Sequence, residues 1–475
     1  MIALQLAIVL LALYVGSRYG SIALGAVSGI GLALLVFGFG MKPGTPPTDV
    51  IYIIIAAVTC AGIMQASGGM DWLIQLAERL LRRHPARITF YAPLCTFFLT
   101  VLVGTGHVVY TLMPIICDIA LKKGIRPERP CGVASVASQV GITCSPIAAA
   151  VVAFAAISGD NGFGITIPQI VIVTIPACLA GLMAASACSY RRGLDLDRDP
   201  KFQARLADPA VRQYMYGSEA TTMGRDIPPT ARRAVMIFAG ALVAIVVLAS
   251  WQSLLPSHEQ IVAVEGATGT WHFMSPPQLV KAGMVVEGMT ETRMVPLKMN
   301  VVIQIVMTAA SALMIIFCKA SPKKAVGGAV WQSGMVAVVA IYGIAWLADT
   351  FFANHLPEIE AALGGVVKEH PWTIAFAFFA VSILINSQGA VVVSMLPLAY
   401  SLGIPGPVLL GVFPCVYGYF FLPNYPSDIA TVNFDRSGTT VIGKYLLNHS
   451  FMMPGLVCTV VSTLVSFALA HLLFG

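Results

Sequence analysis

Charged residues are scarce in this chain of 475 residues: they make up 11% of it, whereas soluble globular proteins carry about 25%. Hydrophobic residues account for 57%, and the mean hydropathy is +0.82. A soluble domain is therefore excluded, and the repeated apolar runs predict one polytopic, all-α membrane body. The net charge is +6, but the basic residues lie in loops between apolar runs, where they indicate orientation rather than nucleic-acid binding.

Motifs of the common catalytic sites are also missing from the sequence. It contains no HExxH, Walker A, GxSxG or haem-attachment pattern. Its ten cysteines lie in or beside apolar segments, and no two of them have CxxC spacing. We therefore expect small buried thiols instead of disulfides or a zinc site. The prediction is a protein that is not an enzyme, with no cofactor, no metal and no nucleic-acid partner.

Two long polar loops predict the orientation of the chain. The loop after Cys188 is rich in arginine and lysine, which is typical of a cytoplasmic loop, whereas the loop after Trp251 carries more acidic than basic residues. Counting apolar runs outward from these loops places both termini on the periplasmic side of a bacterial inner membrane. The segment Met1 to Val15 has no basic start and no cleavage site, so we interpret it as a retained transmembrane helix.

An internal repeat relates the two halves of the chain. The stretch 104–114 (GTGHVVYTLMP) matches 387–397 (SQGAVVVSMLP). Three further dipeptides recur in the same order in both halves. They are His-Pro at 84–85 and 370–371, Gly-Ile at 124–125 and 403–404, and Ser-Pro at 145–146, which corresponds to Tyr-Pro at 425–426. The segment before the first copy is basic and that before the second is acidic, so the copies have opposite orientations. Inverted repeats of this kind are typical of secondary transporters, which bind substrate where the repeats meet.

The predicted domain division follows from the repeat. It comprises a first inverted repeat at 1–190, a cytoplasmic loop at 191–233 and a second inverted repeat at 234–475, with an outer loop at 252–298. Each repeat is expected to contain a re-entrant hairpin and an interrupted helix. The hairpins are placed at 88–120 and 372–400, and the interrupted helices at 132–157 and 408–434. Irregular backbone at membrane depth is tolerated only where it is buried in protein or lines a wet cavity, so the four breaks are the predicted binding site.

The residues at these breaks offer hydroxyls, amides and glycines, which suit an anionic ligand because they donate hydrogen bonds or let backbone N–H groups approach closely. The predicted binding residues are Gly104, Thr105, Gly106, His107, Thr143, Ser145, Asn386, Ser387, Gln388, Gly389, Asn424 and Ser427.

Three ionisable residues lie at or beside the breaks. His107 is predicted either to pair with a carboxylate or carry a coupling proton, or to be held by neighbouring helices without a role in transport. Asp428 and Arg436 are assigned to gating or coupling, because an intramembrane acid would repel an anion directly. A purely structural Asp428–Arg436 ion pair is the alternative. The amphipathic stretch 70–83 is expected to lie in the cytoplasmic interface, and an arm between a fixed and a moving part is the alternative.

Several blocks of sequence resemble a known family. They are 80–83 (LLRR), 104–120 (GTGHVVYTLMPIICDIA), 125–130 (IRPERP), 339–346 (VAIYGIAW), 425–428 (YPSD), 434–440 (FDRSGTT) and 448–451 (NHSF). Together they resemble the anaerobic C4-dicarboxylate carriers called Dcu, most closely the B type. Asn424 departs from the family pattern, which has a hydroxyl residue at that position. The outer loop is also longer than is typical of the family.

The resemblance implies electroneutral exchange of fumarate, malate or aspartate for succinate during anaerobic respiration. It also implies an ion-transporter-like fold with scaffold and transport parts and elevator-type movement. Expected partners are C4-dicarboxylates, the lipid bilayer, a second copy in a homo-oligomer (a dimer is favoured) and a membrane sensor kinase. The alternatives left open are a proton- or sodium-coupled symporter and a dicarboxylate-binding sensor subunit.

Overall fold

The structure is a computed structural model that describes residues 1–19, 22–160, 164–217, 219–263, 290–422, 425–443 and 447–475. Within these ranges, eight helices are long and apolar enough to cross a membrane. They lie at Thr48–Ala66, Pro85–Val103, Glu128–Gly159, Ile167–Tyr190, Ala231–Ser250, Met299–Cys318, Ala329–His355 and Met452–Phe474. The chain is a multi-pass helical membrane protein, as its composition predicts.

The first part of the chain is built of helices joined by short turns and connections. Its helices are α1 (Ile2–Tyr19), α2 (Ala23–Ala33), α3 (Thr48–Ala66), α4 (Gly69–Arg83), α5 (Ile88–Val103), α6 (Val109–Lys122), α7 (Glu128–Val140), α8 (Ala149–Asp160) and α9 (Ile167–Tyr190). Helix α5 ends because Gly104 adopts a left-handed conformation with φ of 80°, which glycine reaches without steric cost. Helix α7 passes into a 3-10 turn at Gly141–Cys144, so α7 and α8 are two halves of one interrupted helix.

The second part adds a small sheet to the helices. Its elements are α10 (Pro200–Leu206), α11 (Pro209–Tyr216), α12 (Ala231–Ser250), β1 (Ser257–Ala263), β2 (Thr290–Pro296), α13 (Met299–Cys318), α14 (Pro322–Val326), α15 (Ala329–Glu369), α16 (Ile374–Leu384), α17 (Gln388–Ser401), α18 (Gly406–Val412), α19 (Pro426–Phe434) and α20 (Met452–Phe474). Strands β1 and β2 pair antiparallel, with Ser257 opposite Pro296. Strands were not predicted for this loop.

The helices pack in two groups. In the first group, α15 packs against α1, α2 and α3, while α13 packs between α3 and α12. Gly25 of α2 and Gly343 of α15 touch backbone to backbone, so a Cβ atom on either would overlap the other helix. Gly29, one turn later in α2, has open space beside it.

The second group contains the breaks. Helix α5 packs on α7, and α9 packs on α20. The two halves of the chain also cross over: α17 packs against α8, and α19 packs against α6 and α7. Helices α6 and α17 each follow an expected hairpin turn. Each therefore packs against the second half of the interrupted helix that belongs to the other half of the chain.

All ten cysteines are free thiols, and each lies in a described range. Cys188 alone among them is exposed, so the expectation of burial is wrong at that position. Sγ of Cys117 on α6 lies 3.0 Å from Sγ of Cys131 on α7, where both side chains are buried.

Candidate functional site

The first tip is the turn between α5 and α6. A Cβ atom on Gly106 would lie 2.7 Å from the carbonyl oxygen of Ser138 and 2.6 Å from Nε2 of Gln139, both near the end of α7. Gly106 therefore allows this turn to reach the first helix break. A Cβ atom on Gly104 would lie 2.9 Å from the Ile147 side chain and 3.5 Å from Oγ of Ser145. Thr105 and His107 bond to each other, with 2.7 Å between Oγ1 and Nδ1.

The second tip is the turn between α16 and α17. Ser387 caps α17 by accepting a hydrogen bond from the backbone N–H of Ala390 at 3.3 Å. Nε2 of Gln388 donates to the carbonyl oxygen of Gln139 at 2.8 Å and to the hydroxyl of Tyr419 at 3.2 Å. Gly389 packs against Ala149 at the start of α8. The second tip thus lies on the first interrupted helix.

Gln139 is the residue on which the breaks converge. Its Oε1 accepts a hydrogen bond from the Tyr419 hydroxyl at 2.8 Å, and its Nε2 donates to Oγ of Ser138 at 3.0 Å. Gln139 is 2% exposed. It contacts the first tip through Gly106, the second tip through Gln388, and the break after α18 through Tyr419. The sequence analysis missed Gln139, Ser138 and Tyr419. A signal for Gln139 was present, because a glutamine two residues before Gly141 is unusual in a largely apolar run.

Several buried polar atoms at the breaks or beside Tyr419 have no hydrogen-bond partner within the described ranges. They are Oγ of Ser145, Oδ1 of Asn386, Oε1 of Gln388 and the hydroxyl of Tyr417, whose ring packs edge-on against Tyr419 at 4.9 Å. Buried polar groups in native proteins are nearly always paired, so a cluster of exceptions needs a physical reason. A polar ligand held between the tips would provide the missing partners.

Other predicted residues lie near this cluster or apart from it. The Thr143 hydroxyl donates to the carbonyl oxygen of Val140 at 2.8 Å, so it is occupied within its own turn. Ser427 and Asp428 meet Ser135 of α7, whose hydroxyl donates to Oδ1 of Asp428 at 2.6 Å. Ser135 lies one turn before Gln139, on the same face of α7. Asn424 lies outside the described residues.

Arg436 is distant from the two tips. Its Nη2 donates to Oδ1 of Asp118 on α6 at 2.7 Å, whereas the hydrogen-bond partner described for the Asp428 carboxylate is Ser135. The two charges that the sequence left as a candidate pair therefore have different partners. Within the described ranges, no three histidine, cysteine, aspartate or glutamate side chains lie close enough to hold a metal ion.

The chain was compared with known families and proteins. A model of a family described as anaerobic C4-dicarboxylate membrane transporters, DcuA and DcuB, matches residues 1–474. The anaerobic C4-dicarboxylate transporter DcuB of Escherichia coli O6:H1 is 42% identical over 97% of this chain and 96% of its own length. The C4-dicarboxylate transporter DcuA of Wolinella succinogenes is 33% identical over the full length of both chains.

Among solved structures, the YdaH transporter of Alcanivorax borkumensis aligns with a TM-score of 0.45 and 14% identity, over 99% of this chain and 97% of that one. Neisseria gonorrhoeae MtrF, described as one of a class of antimetabolite efflux pumps, aligns with a TM-score of 0.49 and 13% identity, over 99% and 94%. The match to the family model and the identity to DcuB confirm the resemblance drawn from the sequence. The chain belongs to the anaerobic C4-dicarboxylate membrane transporter family and is of the B type. The members of this family are transporters, not enzymes.

Proposed function

From membership in this family and the geometry around Gln139, we propose that the protein carries C4-dicarboxylates across the bacterial inner membrane by exchange. Fumarate, malate or aspartate enters, and succinate leaves. The observation that carries the proposal is the meeting of both tips and the second break at one buried glutamine, beside polar atoms that have no described protein partner. The relatives named as C4-dicarboxylate transporters supply the substrate class.

A dianion of four carbons needs donors at both ends. On one side we assign the hydroxyl of Ser145 to a carboxylate, together with backbone N–H groups beside Gly104 and Gly106. On the other side we assign the Tyr417 hydroxyl and the first turn of α17, where the helix dipole favours negative charge. Each repeat then holds one carboxylate. Asn386, Ser387 and Gln388 line the second side along the carbon chain rather than at the carboxylate, and His107 lies at the rim of the first.

The breaks also suggest how the chain crosses the membrane. We assign α5–α6 and α16–α17 as re-entrant hairpins, because each pair is joined by a tight turn and α6, α16 and α17 have only 14, 11 and 14 residues, too few to span a bilayer. The basic segment before the first pair and the acidic segment before the second favour entry from opposite sides. Residues 1–190 and 234–475 form the two inverted repeats, with the loop 191–233 in the cytoplasm and both termini outside. A homodimer and a contact with a membrane sensor kinase stay predictions from the family resemblance.

The two packing groups suggest an elevator. Helices α1–α3, α12, α13 and α15 would form a fixed scaffold, and the hairpins, interrupted helices, α9 and α20 a moving part. The two groups touch where α17 packs on α15 and α8 packs on α3. Helix α4 joins α3 to α5, so it is the arm through which the moving part is connected to the scaffold.

A chain of charges ties this arm to the moving part. Arg436 bonds to Asp118, whose other oxygen lies 3.1 Å from Nζ of Lys122. Lys122 lies 3.3 Å from Oε1 of Glu219, which also accepts a hydrogen bond from Arg82 of α4 at 2.9 Å. Because the loop bearing Glu219 leads into α12, movement of α6 relative to the scaffold would break these contacts. We assign Arg436 to this coupling network rather than to substrate contact.

One observation favours a second candidate, cation-coupled symport. The Asp428 side chain is 2% exposed, and its described hydrogen-bond partner is the neutral hydroxyl of Ser135. A buried carboxylate without a cationic partner is costly unless it binds a proton or a cation. Asp428 would be the coupling site in that case.

Counterflow in proteoliposomes distinguishes the two candidates. Vesicles that contain the purified protein are loaded with succinate and given labelled fumarate outside, without an ion gradient. Obligatory exchange predicts rapid entry of label that requires internal succinate and is unchanged in Asp428→Asn. Entry that ignores internal succinate, follows a proton or sodium gradient and disappears in Asp428→Asn would instead establish symport. Absence of any flux, with fumarate binding intact, would favour a sensor subunit.

A further inference from the structure

A basic cavity lies at one end of the membrane span α9, apart from the Gln139 cluster. It is open on one side, has a volume of about 330 Å³ and is bordered by three connections of the first repeat: the turn before α5, the turn between α6 and α7, and the segment after α9. Its lining includes Ala86, Ile125, Tyr190, Arg191 and Arg198. None of these residues takes part in the proposed transport site.

The wall of this cavity is fixed by Arg129, which is 7% exposed. Its guanidinium donates to the carbonyl oxygens of Arg192 and Gly193 at 2.8 and 2.9 Å, and to Oδ1 of Asp195 at 2.7 Å. The segment after α9 is thus wrapped around one buried cation. Gly193 has a φ of 66°, and a Cβ atom there would lie 2.8 Å from Nε of Arg126, so this glycine lets the segment close. The cavity wall is therefore built into the fold.

The charge balance of the cavity favours an anion. The one carboxylate in its lining, Asp195, is already paired with Arg129. Arg191 and Arg198 are exposed, and within the described ranges their guanidinium groups have neither a hydrogen bond nor an ion pair. By contrast, the neighbouring Arg192 points inward, where it donates to the carbonyl oxygen of Ser450 and pairs with Glu128. Two guanidinium groups thus remain for a ligand, and guanidinium binds phosphate oxygens in a fork-like geometry.

The rim of the cavity favours a lipid over a free anion. Tyr190 ends the apolar span α9, and it is 45% exposed, with its ring 5.6 Å from that of Phe90 at the start of α5. Leu194 is 53% exposed beside it. Aromatic and aliphatic side chains next to unpaired arginines at the end of a membrane span match an amphipathic ligand whose headgroup carries a phosphate.

We propose that this cavity binds the phosphate headgroup of an anionic phospholipid, held by Arg191 and Arg198, with the acyl chains lying along Tyr190 and Leu194. Its walls belong to the connections of α5, α6, α7 and α9, so in the proposed elevator the site would move with the second group of helices. Its occupation does not depend on which dicarboxylate is carried or on the coupling mode.

The test is a lipid titration of the purified full chain in detergent, read as the shift in melting temperature, since a ligand that binds only the folded state raises it. Phosphatidylglycerol is compared with phosphatidylcholine, and inorganic phosphate alone is a third arm. The pocket variant is Arg191→Gln with Arg198→Gln. The matched control is Arg232→Gln with Arg233→Gln, which removes the same charge from exposed residues at the start of α12.

We expect phosphatidylglycerol, and not phosphatidylcholine, to raise the melting temperature of the wild type and of the control. The pocket variant should need at least about tenfold more phosphatidylglycerol for the same shift, as expected when two basic groups are lost. The Arg191→Lys, Arg198→Lys variant, which keeps the charge, should restore part of the response. Equal losses in the pocket and control variants, or no response to phosphatidylglycerol, would overturn the proposal. A full response to inorganic phosphate alone would instead identify a site for a free anion.

Discussion

Replacing Gly106 with alanine is the sharpest test of the convergence at Gln139. The added methyl group would lie 2.7 Å from a backbone carbonyl and 2.6 Å from the Gln139 amide, whereas ordinary van der Waals contact begins near 3.4 Å. The first tip must therefore move by several tenths of an ångström. Overpacking of this size costs about 1–3 kcal/mol. If this free-energy cost destabilises the substrate-bound state relative to the free state, dicarboxylate affinity should drop by about 5- to 150-fold.

The assay is isothermal titration of purified protein with fumarate, followed by counterflow in proteoliposomes. Gly29→Ala is the matched control, because Gly29 lies in α2, where an added Cβ atom would have nothing within 4 Å. That control should bind like the wild type. If Gly106→Ala also binds and exchanges fumarate like the wild type, the first tip does not form part of the site, and the reasoning from Gln139 fails.

The remaining predictions use other parts of the molecule. Ser145→Ala removes a buried hydroxyl without a described partner, so it should leave the melting temperature unchanged or raise it, while fumarate affinity falls about fivefold. Burial raises the pKa of Glu78, but hydrogen bonds from Thr221, Thr222 and Arg82 outweigh burial and lower the pKa below its ordinary value. The stability that Glu78 supplies is then complete above its unfolded pKa and is lost as pH falls through the lowered folded value, so the difference in melting temperature from Glu78→Gln should shrink below about pH 4. A constant difference down to the acid limit would contradict this. Glu219→Gln should speed exchange at low salt and match the wild type at high salt, where ions screen exposed pairs; a rate difference that persists at high salt would exclude an electrostatic cause.

The sequence predicted the positions of the breaks but did not indicate Gln139, the residue that contacts both tips. Gly104 and Gly106 identify the first tip because a glycine pair between two apolar runs has few other structural explanations. The side-chain partners of such a tip depend on contacts between residues far apart in sequence. Gln388 and Gln139 are 249 residues apart, and no local pattern encodes that contact. Thr143 was chosen for its place at the first helix break, and the sequence could not indicate that its hydroxyl donates within its own turn to the carbonyl oxygen of Val140.

The charged residues show the same limit. Asp428 and Arg436 lie eight positions apart, so proximity in sequence suggested an ion pair. The fold instead places Arg436 against Asp118, 318 residues away. Arg436 pairs with Asp118 rather than Asp428 because α19 ends at Phe434 and the chain turns at Asp435. Arg436 therefore does not lie on the helix face that carries Asp428. An ion pair outside a continuous helix cannot be inferred from spacing alone.

The two sides of the proposed site differ chemically, although they derive from similar sequences. Ser145, on the first side, presents a hydroxyl that can donate to a carboxylate. Asn386 and Gln388, on the second, present amide oxygens that lack a partner among the described residues and can only accept. Fumarate is symmetric and has no donor for these oxygens. Malate and aspartate carry a hydroxyl or an ammonium group next to one carboxylate, and such a group is the donor that an amide oxygen needs.

The asymmetry gives a last prediction about substrate choice. Asn386→Leu keeps the size of the side chain and removes the acceptor. It should lower the affinity for malate and aspartate by about tenfold, the value of one hydrogen bond of about 1.4 kcal/mol, and leave fumarate within about twofold of the wild type. Fumarate is the internal control, because all three ligands are titrated into the same preparation. Equal losses for the three ligands would mean that Asn386 shapes the cavity without reading the substituent on the carbon chain, since only an acceptor that contacts the hydroxyl or ammonium group can distinguish substrates that share both carboxylates.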